Sequence, residues 1–308
     1  MAKATREAYG ETLAQLVTED PKIVVLDADL AGSTKTALAK KAAPERFFDM
    51  GIAEADMIGH AAGLAASGYT AFASSFAMFA TGRAWEQIRN SVAYPHLNVK
   101  VCASHAGLSV GEDGVSHQAI EDIAIMRVIS GMQIYVPCDA AETAAVVRHV
   151  ASINGPCYVR LGRSSVEDVY ASEKDVDILK ANVLRQGKGA VVFACGLMVQ
   201  AALAAAEMLK ADGIDLTVVD VCAIKPCDET GIIELLKAHD TVFTAEEHST
   251  IGGLGGMIAE LACEKCPRPV YRIGLPDIFA ESGSAKDLLH KYGLDGEGVA
   301  SFIRAKLK

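Results

Sequence analysis

Large aromatic side chains are scarce in this 308-residue chain: they make up 6% of it, with a single tryptophan. Its interior must therefore be filled by aliphatic residues, in a composition that is 51% hydrophobic and only 22% charged. Abundant Ala and Gly favour close helix-on-sheet packing, as in α/β proteins. Basic runs are also missing and the net charge is −10, which argues against a nucleic-acid footprint. No apolar run approaches the roughly 18 residues of a membrane span. The N-terminus Met1–Glu7 has no apolar signal core. The eight cysteines are scattered, and Cys102, Cys157, Cys195 and Cys222 lie in apolar runs, as buried thiols of a cytoplasmic protein do. Cys263 and Cys266 have half-zinc-site spacing with no second pair to complete it, and are read as incidental.

What is present is alternation. Apolar strands are expected at 23–26, 46–50, 70–74, 99–103, 133–136 and 158–161, with helices between them over about 3–18, 53–66, 83–89, 119–130 and 139–153. The polar run 163–176 reads as a connector. Strands at 190–194, 216–221, 241–245 and 270–273 then alternate with further helices. This pattern predicts two doubly wound α/β domains with mainly parallel sheets, over residues 1–165 and 181–308, joined by a linker at 166–180.

Glu54 sits at the turn from strand 46–50 into a helix, in Asp49-Met50-Gly51-Ile52-Ala53-Glu54. Burial among small, apolar neighbours would raise its pKa and suit it to proton exchange with a bound heterocycle; a carboxylate complementing the helix dipole is the plainer reading. The loop 104–118 carries His105, Glu112, Asp113 and His117 among three glycines. It supplies acids, bases and hydrogen-bond donors for hydroxyls, unless it is a solvated polar loop; the histidines are too far apart for a standard metal spacing. Phe76 and Phe79 are either core residues at helical spacing or a wall against a planar ligand. Arg6, Ser33 and Arg163, near strand ends, would suit a phosphate. Gly252-Gly253-Leu254-Gly255-Gly256 fits neither dinucleotide nor Walker spacing and reads as close backbone approach, with Glu246-Glu247-His248 before it facing an interface.

Four motifs occur in order: Gly51-Ile52-Ala53-Glu54; Ser75-Phe76 with Phe79; Gly111-Glu112-Asp113-Gly114-Val115-Ser116-His117-Gln118; and Leu161-Gly162-Arg163. Over essentially the whole chain they resemble the pyrimidine-binding and C-terminal domains of the transketolase family, which uses thiamine diphosphate. The resemblance implies that Glu54 contacts the pyrimidine ring of the cofactor and promotes the imino form that activates it. It implies that Phe76 and Phe79 stack around that ring, that Asp29 lies on the cofactor side, and that Asp113 and His117 bind donor hydroxyls. It also implies that Arg6, Ser33, His105 and Arg163 hold the substrate phosphate, and that His117 is catalytic alongside Glu54.

One departure shapes the reading. The family's Gly-Asp-Gly…Asn motif, which holds the diphosphate and its Mg2+ or Ca2+, is absent from these 308 residues. The chain therefore looks like the C-terminal subunit of a split transketolase. An N-terminal subunit would carry the motif and the metal, and two of each would make a heterotetramer acting on phosphorylated sugars. Arg83-Ala84-Trp85-Glu86-Gln87 looks closer to deoxyxylulose phosphate synthases and to the beta subunits of 2-oxo acid dehydrogenases, which stand as alternatives. A non-catalytic scaffold is a third, and the presence of Glu54 speaks against it.

Overall fold

The apolar runs become the central strands of two mainly parallel sheets in a computed structural model that describes residues 2–307. In the first unit, β1 (Ile23–Asp27), β2 (Phe47–Asp49), β3 (Thr70–Ser74), β4 (Val99–Ala103), β5 (Gln133–Tyr135) and β6 (Cys157–Arg160) lie in the order β5-β6-β4-β3-β1-β2, all parallel. Every residue of β1, β3 and β4 is buried. That is why these strands are continuously apolar rather than alternating: helices cover both faces. The covering helices are α1 (Thr5–Glu19), α2 (Glu54–Ala66), α3 (Asp122–Arg127) and α4 (Ala140–Ser152). The last is started by Asp139, whose carboxylate accepts the Glu142 N–H at 2.8 Å.

The second unit contains β7 (Ala181–Arg185), β8 (Ala190–Ala194), β9 (Leu216–Val221), β10 (Ala223–Lys225), β11 (Thr241–Ser249) and β12 (Val270–Leu275). Its sheet runs β12-β11-β8-β9-β7, with only β7 antiparallel. Its helices are α5 (Met198–Leu209), α6 (Glu229–Ala238), α7 (Leu254–Lys265), α8 (Ala285–Lys291) and α9 (Gly296–Leu307). No helix among the described residues is long and apolar enough to cross a membrane.

Several expectations need correction. The helix placed at 119–130 is only Asp122–Arg127, because the chain before it is held by loop contacts. The stretch after Phe76 is two wide π-helical segments, Met78–Arg83 and Ile88–Ala93, around a single α turn; such widened turns cluster at functional sites. The polar run after residue 163 is more than a tether. Ser165–Val166 pairs antiparallel with Lys3–Ala4, and the Val169 and Tyr170 amides donate to Asp139 Oδ2 at 2.7 and 2.8 Å. β10 leaves its own unit and pairs antiparallel with β5, adding a seventh strand to the first sheet. One apolar cluster accordingly runs through both units, from Val101, Ile134 and Tyr158 to Phe193, Val219 and Ile224.

The glycine run before α7 is a close approach of backbone to carboxylate. Glu246 accepts the Leu254 and Gly255 N–H groups, each at 2.8 Å, and a Cβ at Gly253 would lie 2.0 Å from Glu246 Oε2. Glu246, Glu247 and His248 are buried within this chain rather than facing an interface.

A second buried acidic cluster joins the units. Glu142, on α4, and Asp220, on β9, are fully buried, with a carboxylate oxygen of each within 4.8 Å of the other. Glu142 Oε2 also accepts the Cys138 N–H at 2.7 Å, and Asp220 Oδ2 accepts from the Tyr170 hydroxyl at 2.7 Å. Glu142 Oε1 and Asp220 Oδ1 have no hydrogen-bond donor. A proton shared between the two carboxyls would satisfy both. Burial raises Asp220 to about 6 and Glu142 well above the usual carboxyl range. Because the folded chain holds a proton that the unfolded one releases, this pair's contribution is complete below the unfolded value. It declines as pH rises toward the folded one, by about 1.4 kcal/mol per unit. Glu142→Gln replaces the proton with an amide donor that does not titrate. Melting of E142Q should therefore gain on wild type as pH rises above the ordinary carboxyl range; parallel pH profiles would contradict the shared proton.

Candidate active site

The carboxyl ends of β1–β4 and β6 open onto one edge of the first sheet, where open α/β sheets bind ligands. The turn after β1 is built around Asp27, which is fully buried. Its Oδ1 accepts the Leu30 N–H at 2.6 Å, and its Oδ2 accepts the Thr34 and Thr36 hydroxyls at 2.7 and 2.8 Å. Burial pushes its pKa up to about 6. Asp29, exposed and at φ +62, donates its N–H to Asp49 Oδ1 at 3.1 Å; the same oxygen accepts the Gly51 N–H at 3.1 Å. Asp49 thus ties the turn after β1 to the turn that delivers Glu54.

Glu54 is the first residue of α2 and is 3% exposed. Its neighbours are not only small and apolar, as the sequence suggests. The Arg83 Nη1 lies 3.2 Å from both carboxylate oxygens. Arg83 is half-exposed and stacks over the Phe79 ring at 4.3 Å from its centroid. The first widened turn after Phe76 is what brings Arg83 back to Glu54.

Phe76 and Phe79 stack with centroids 6.0 Å apart and planes 19° from parallel. The His105 ring lies on Phe76 at 3.8 Å, and His117 meets Phe79 edge-on at 5.0 Å. His105 is 3% exposed and sits at φ +61, a strained backbone for a residue with a Cβ. Its Nε2 lies 3.4 Å from Arg6 Nη1 and its Nδ1 2.8 Å from Ser104 Oγ. Because Arg6 only donates, Nε2 is the acceptor and the imidazole proton sits on Nδ1, pointing at Ser104. Burial and then the charges of Arg6 and Arg163 press the His105 pKa down to about 3. Nitrogen-15 spectra of the labelled imidazole should show a neutral ring from about pH 5 to 8; a midpoint near the ordinary histidine value would overturn this tautomer and its packing.

Arg6, in the first turn of α1, donates to the Ser33 carbonyl at 2.8 Å, so Ser33 holds the guanidinium through its backbone. Among the described residues no carboxylate ion-pairs with Arg6, and its buried Nε lacks a partner. Burial, opposed by Glu7, lowers its pKa, and Arg163 lowers it further. Arg163, past the end of β6, donates to the Val110 carbonyl and lies 3.3 Å from Glu112 and 3.7 Å from Asp113. Asp113 itself is exposed, and Ser116 Oγ lies 2.9 Å from His117 Nδ1.

The structure thus connects Glu54, Arg83, Phe79, Phe76, His117, His105, Arg6 and Ser33 in one chain of contacts, with Arg163 and Asp113 beside it. Asp29 joins only through Asp49. Sequence reasoning missed the part played by Arg83, Asp27 and Asp49; their only local signals are an arginine seven residues past Phe76 and acids ending two strands. A buried carboxylate beside stacked aromatic rings suits a planar nitrogen heterocycle, and an uncompensated guanidinium beside a second one suits an anion. The described residues also bring Cys138, Glu142 and Asp220 together, in a buried cluster at the junction of the units.

Residues 1–168 match the family model described as the transketolase pyrimidine-binding domain, and residues 179–299 match the transketolase C-terminal domain. A Methanocaldococcus jannaschii protein, provisionally named a transketolase C-terminal section, is 50% identical over 309 residues, which is 99% of this chain and 97% of that protein. A Clostridium subunit named as a 6-deoxy-6-sulfo-D-fructose transketolase subunit is 39% identical over 294 residues, covering 96% of this chain and 91% of its own. A solved split-gene transketolase, described as an inactive β4 tetramer, superposes with a TM-score of 0.90 at 51% identity, covering 98% of this chain and 97% of the other.

Proposed function

The chain belongs to the transketolase family, and from that premise we propose that it is the C-terminal subunit of a split transketolase moving a two-carbon ketol unit between phosphorylated sugars. The observation that carries this reading is the single edge that places buried Glu54 beside the Phe76–Phe79 stack and the Arg6–His105 pair beyond it. Its partner is an N-terminal subunit with the Gly-Asp-Gly…Asn motif, which holds the diphosphate and the Mg2+ or Ca2+ in a heterotetramer of two of each. The domain division at 1–165, 166–180 and 181–308 belongs to the same reading.

Glu54, Phe76 and Phe79, with Asp29 alongside, are the residues that would hold the pyrimidine of thiamine diphosphate. The buried carboxylate and the aromatic pair fit such a ring. When bound, that cofactor supplies the electron sink that lets a carbon–carbon bond break. Glu54 holds a proton at the ring nitrogen. His117 and Asp113 donate to and accept from the hydroxyls of the donor and orient it. His105, neutral and with its N–H turned to Ser104, accepts from Arg6 and steadies that guanidinium; with it, Arg6, Ser33 and Arg163 bind the terminal phosphate. The aromatic rings exclude water from the carboxylate.

With its partner, thiamine diphosphate and magnesium, the protein should convert xylulose 5-phosphate and ribose 5-phosphate; no turnover of any phosphorylated ketose would overturn the proposal. Losing a hydrogen bond to a charged group costs about 1.5–3 kcal/mol. Arg6→Ala should therefore raise KM for the phosphorylated ketose roughly ten- to a hundredfold, and leave that for an unphosphorylated one nearly unchanged. Because one relative is named for a sulfosugar, a sulfonate-ended ketose belongs in the same assay; a preference for it would replace phosphate as the anion.

A further inference from the structure

The loop 104–118 leaves β4 in the first unit, yet much of its shape is set by the second. Its three glycines lie at φ +82, +83 and +70, conformations that side chains with a Cβ avoid. Each faces the second unit. A Cβ at Gly107 would sit 2.4 Å from the Glu247 carboxyl carbon, and one at Gly114 would sit 2.2 Å from Ser282 Oγ. One at Gly111 would touch the Gly283 carbonyl at 3.5 Å. Two hydrogen bonds cross the same boundary. Glu247 Oε1 accepts the Ser109 N–H, and Gln118 Nε2 donates to the Glu281 carbonyl at 2.9 Å.

Glu247 is itself held in place. It is 4% exposed, and its carbonyl accepts from Arg160 Nη2 at 2.9 Å; the same nitrogen donates to the Ala119 carbonyl at 3.1 Å, just past the loop. Burying a carboxyl is expensive unless it is hydrogen-bonded, so an apolar residue would fill this space at lower cost if packing alone were needed. The amide it accepts is the second residue of the turn Leu108–Asp113. That turn determines where Val110 receives Arg163 and where Asp113 comes to lie beside it.

We infer that Glu247 is a positioning residue: from the second unit, its carboxylate fixes the Ser109 amide and so holds the substrate loop in the shape that presents Asp113 and His117. The inference rests on the reading of those residues as substrate-binding. It gives the second unit a part in the reaction site that no contact with substrate would reveal.

The test uses the full chain with its N-terminal partner. Glu247→Leu removes the acceptor at similar volume, whereas Glu247→Gln keeps an oxygen for the Ser109 N–H. E247L should speed hydrogen exchange across residues 108–113 at least about tenfold, with the β8 and β9 amides unchanged. It should also raise KM for the phosphorylated ketose by about tenfold, more than it lowers kcat. E247Q should stay within about twofold of wild type in both readouts. Unchanged loop exchange in E247L overturns the inference, as does exchange that rises equally in β8 and β9. If E247L does not fold, Gln118→Ala, which cuts the Gln118–Glu281 bond, must speed exchange in the same loop; unchanged exchange there also overturns it. Exchange needs no turnover, so an inactive wild-type complex would refute the substrate reading while leaving the exchange result to decide the loop's support.

Discussion

Replacing Glu54 by alanine is expected to lower ketol transfer by the reconstituted enzyme by about 10²–10⁴-fold, the range in which a positioned proton-transfer group contributes. Glu54 is the one buried carboxylate at the start of α2, on the same edge as the stacked aromatics. Stability should change little. The Arg83 partner is half-exposed, so water can solvate it once the carboxylate is gone. Glu54→Gln keeps the shape and loses the charge, and should fall as far. Steady-state rates with the partner subunit, alongside sedimentation of the complex, separate the two effects. Turnover retained in either variant would remove Glu54 from the mechanism; loss of the complex in parallel with loss of rate would make its role structural.

The largest effect on stability should come from Asp122→Ala. Asp122 is 2% exposed and accepts two hydrogen bonds from Arg160, at 2.7 and 3.1 Å, and one from the Tyr158 hydroxyl at 2.6 Å. Burial alone would raise its pKa, but the charge and hydrogen bonds of Arg160, with the Tyr158 hydroxyl and His248, together outweigh burial and hold it below the usual range. Removing the carboxylate strands a buried cation, which costs about 3–5 kcal/mol. The damage should spread, because the Arg160 guanidinium also reaches the Glu247 carbonyl in the second unit. Denaturant unfolding would measure it, and a loss under about 1 kcal/mol would show that Arg160 finds another partner. The sign with pH is opposite to that of the Glu142–Asp220 pair. A depressed carboxyl stabilises above its unfolded value and loses that contribution as pH falls, whereas the shared proton stabilises at low pH and fades as pH rises.

Much of the site could be read in advance because its signals are local. Glu54 follows a strand and a glycine. His105, Asp113 and His117 share one loop. Phe76 and Phe79 lie three residues apart. Arg163 follows a strand directly. These spacings put the side chains at the carboxyl ends of parallel strands whatever the details of packing, and the order of the motifs carried the family. The partners were not readable in the same way. Arg83 reaches Glu54 across 29 positions because a π-helical turn rotates it there. Ser33 holds Arg6 by a carbonyl, an atom every residue has, so its identity carried no signal.

Alternation, absence of charge runs and motif order, properties of the chain itself, settled the α/β class, the parallel sheets and the transketolase family. Tertiary structure alone decided that β10 crosses into the first sheet, that Glu142 and Asp220 share a buried site, and that Glu247 reaches Ser109 from 138 positions away. The physical reason is one of range. Periodicity reports which face of an element is buried, whereas a hydrogen bond depends on two atoms coming within about 3 Å of each other, which only the packing of both units brings about.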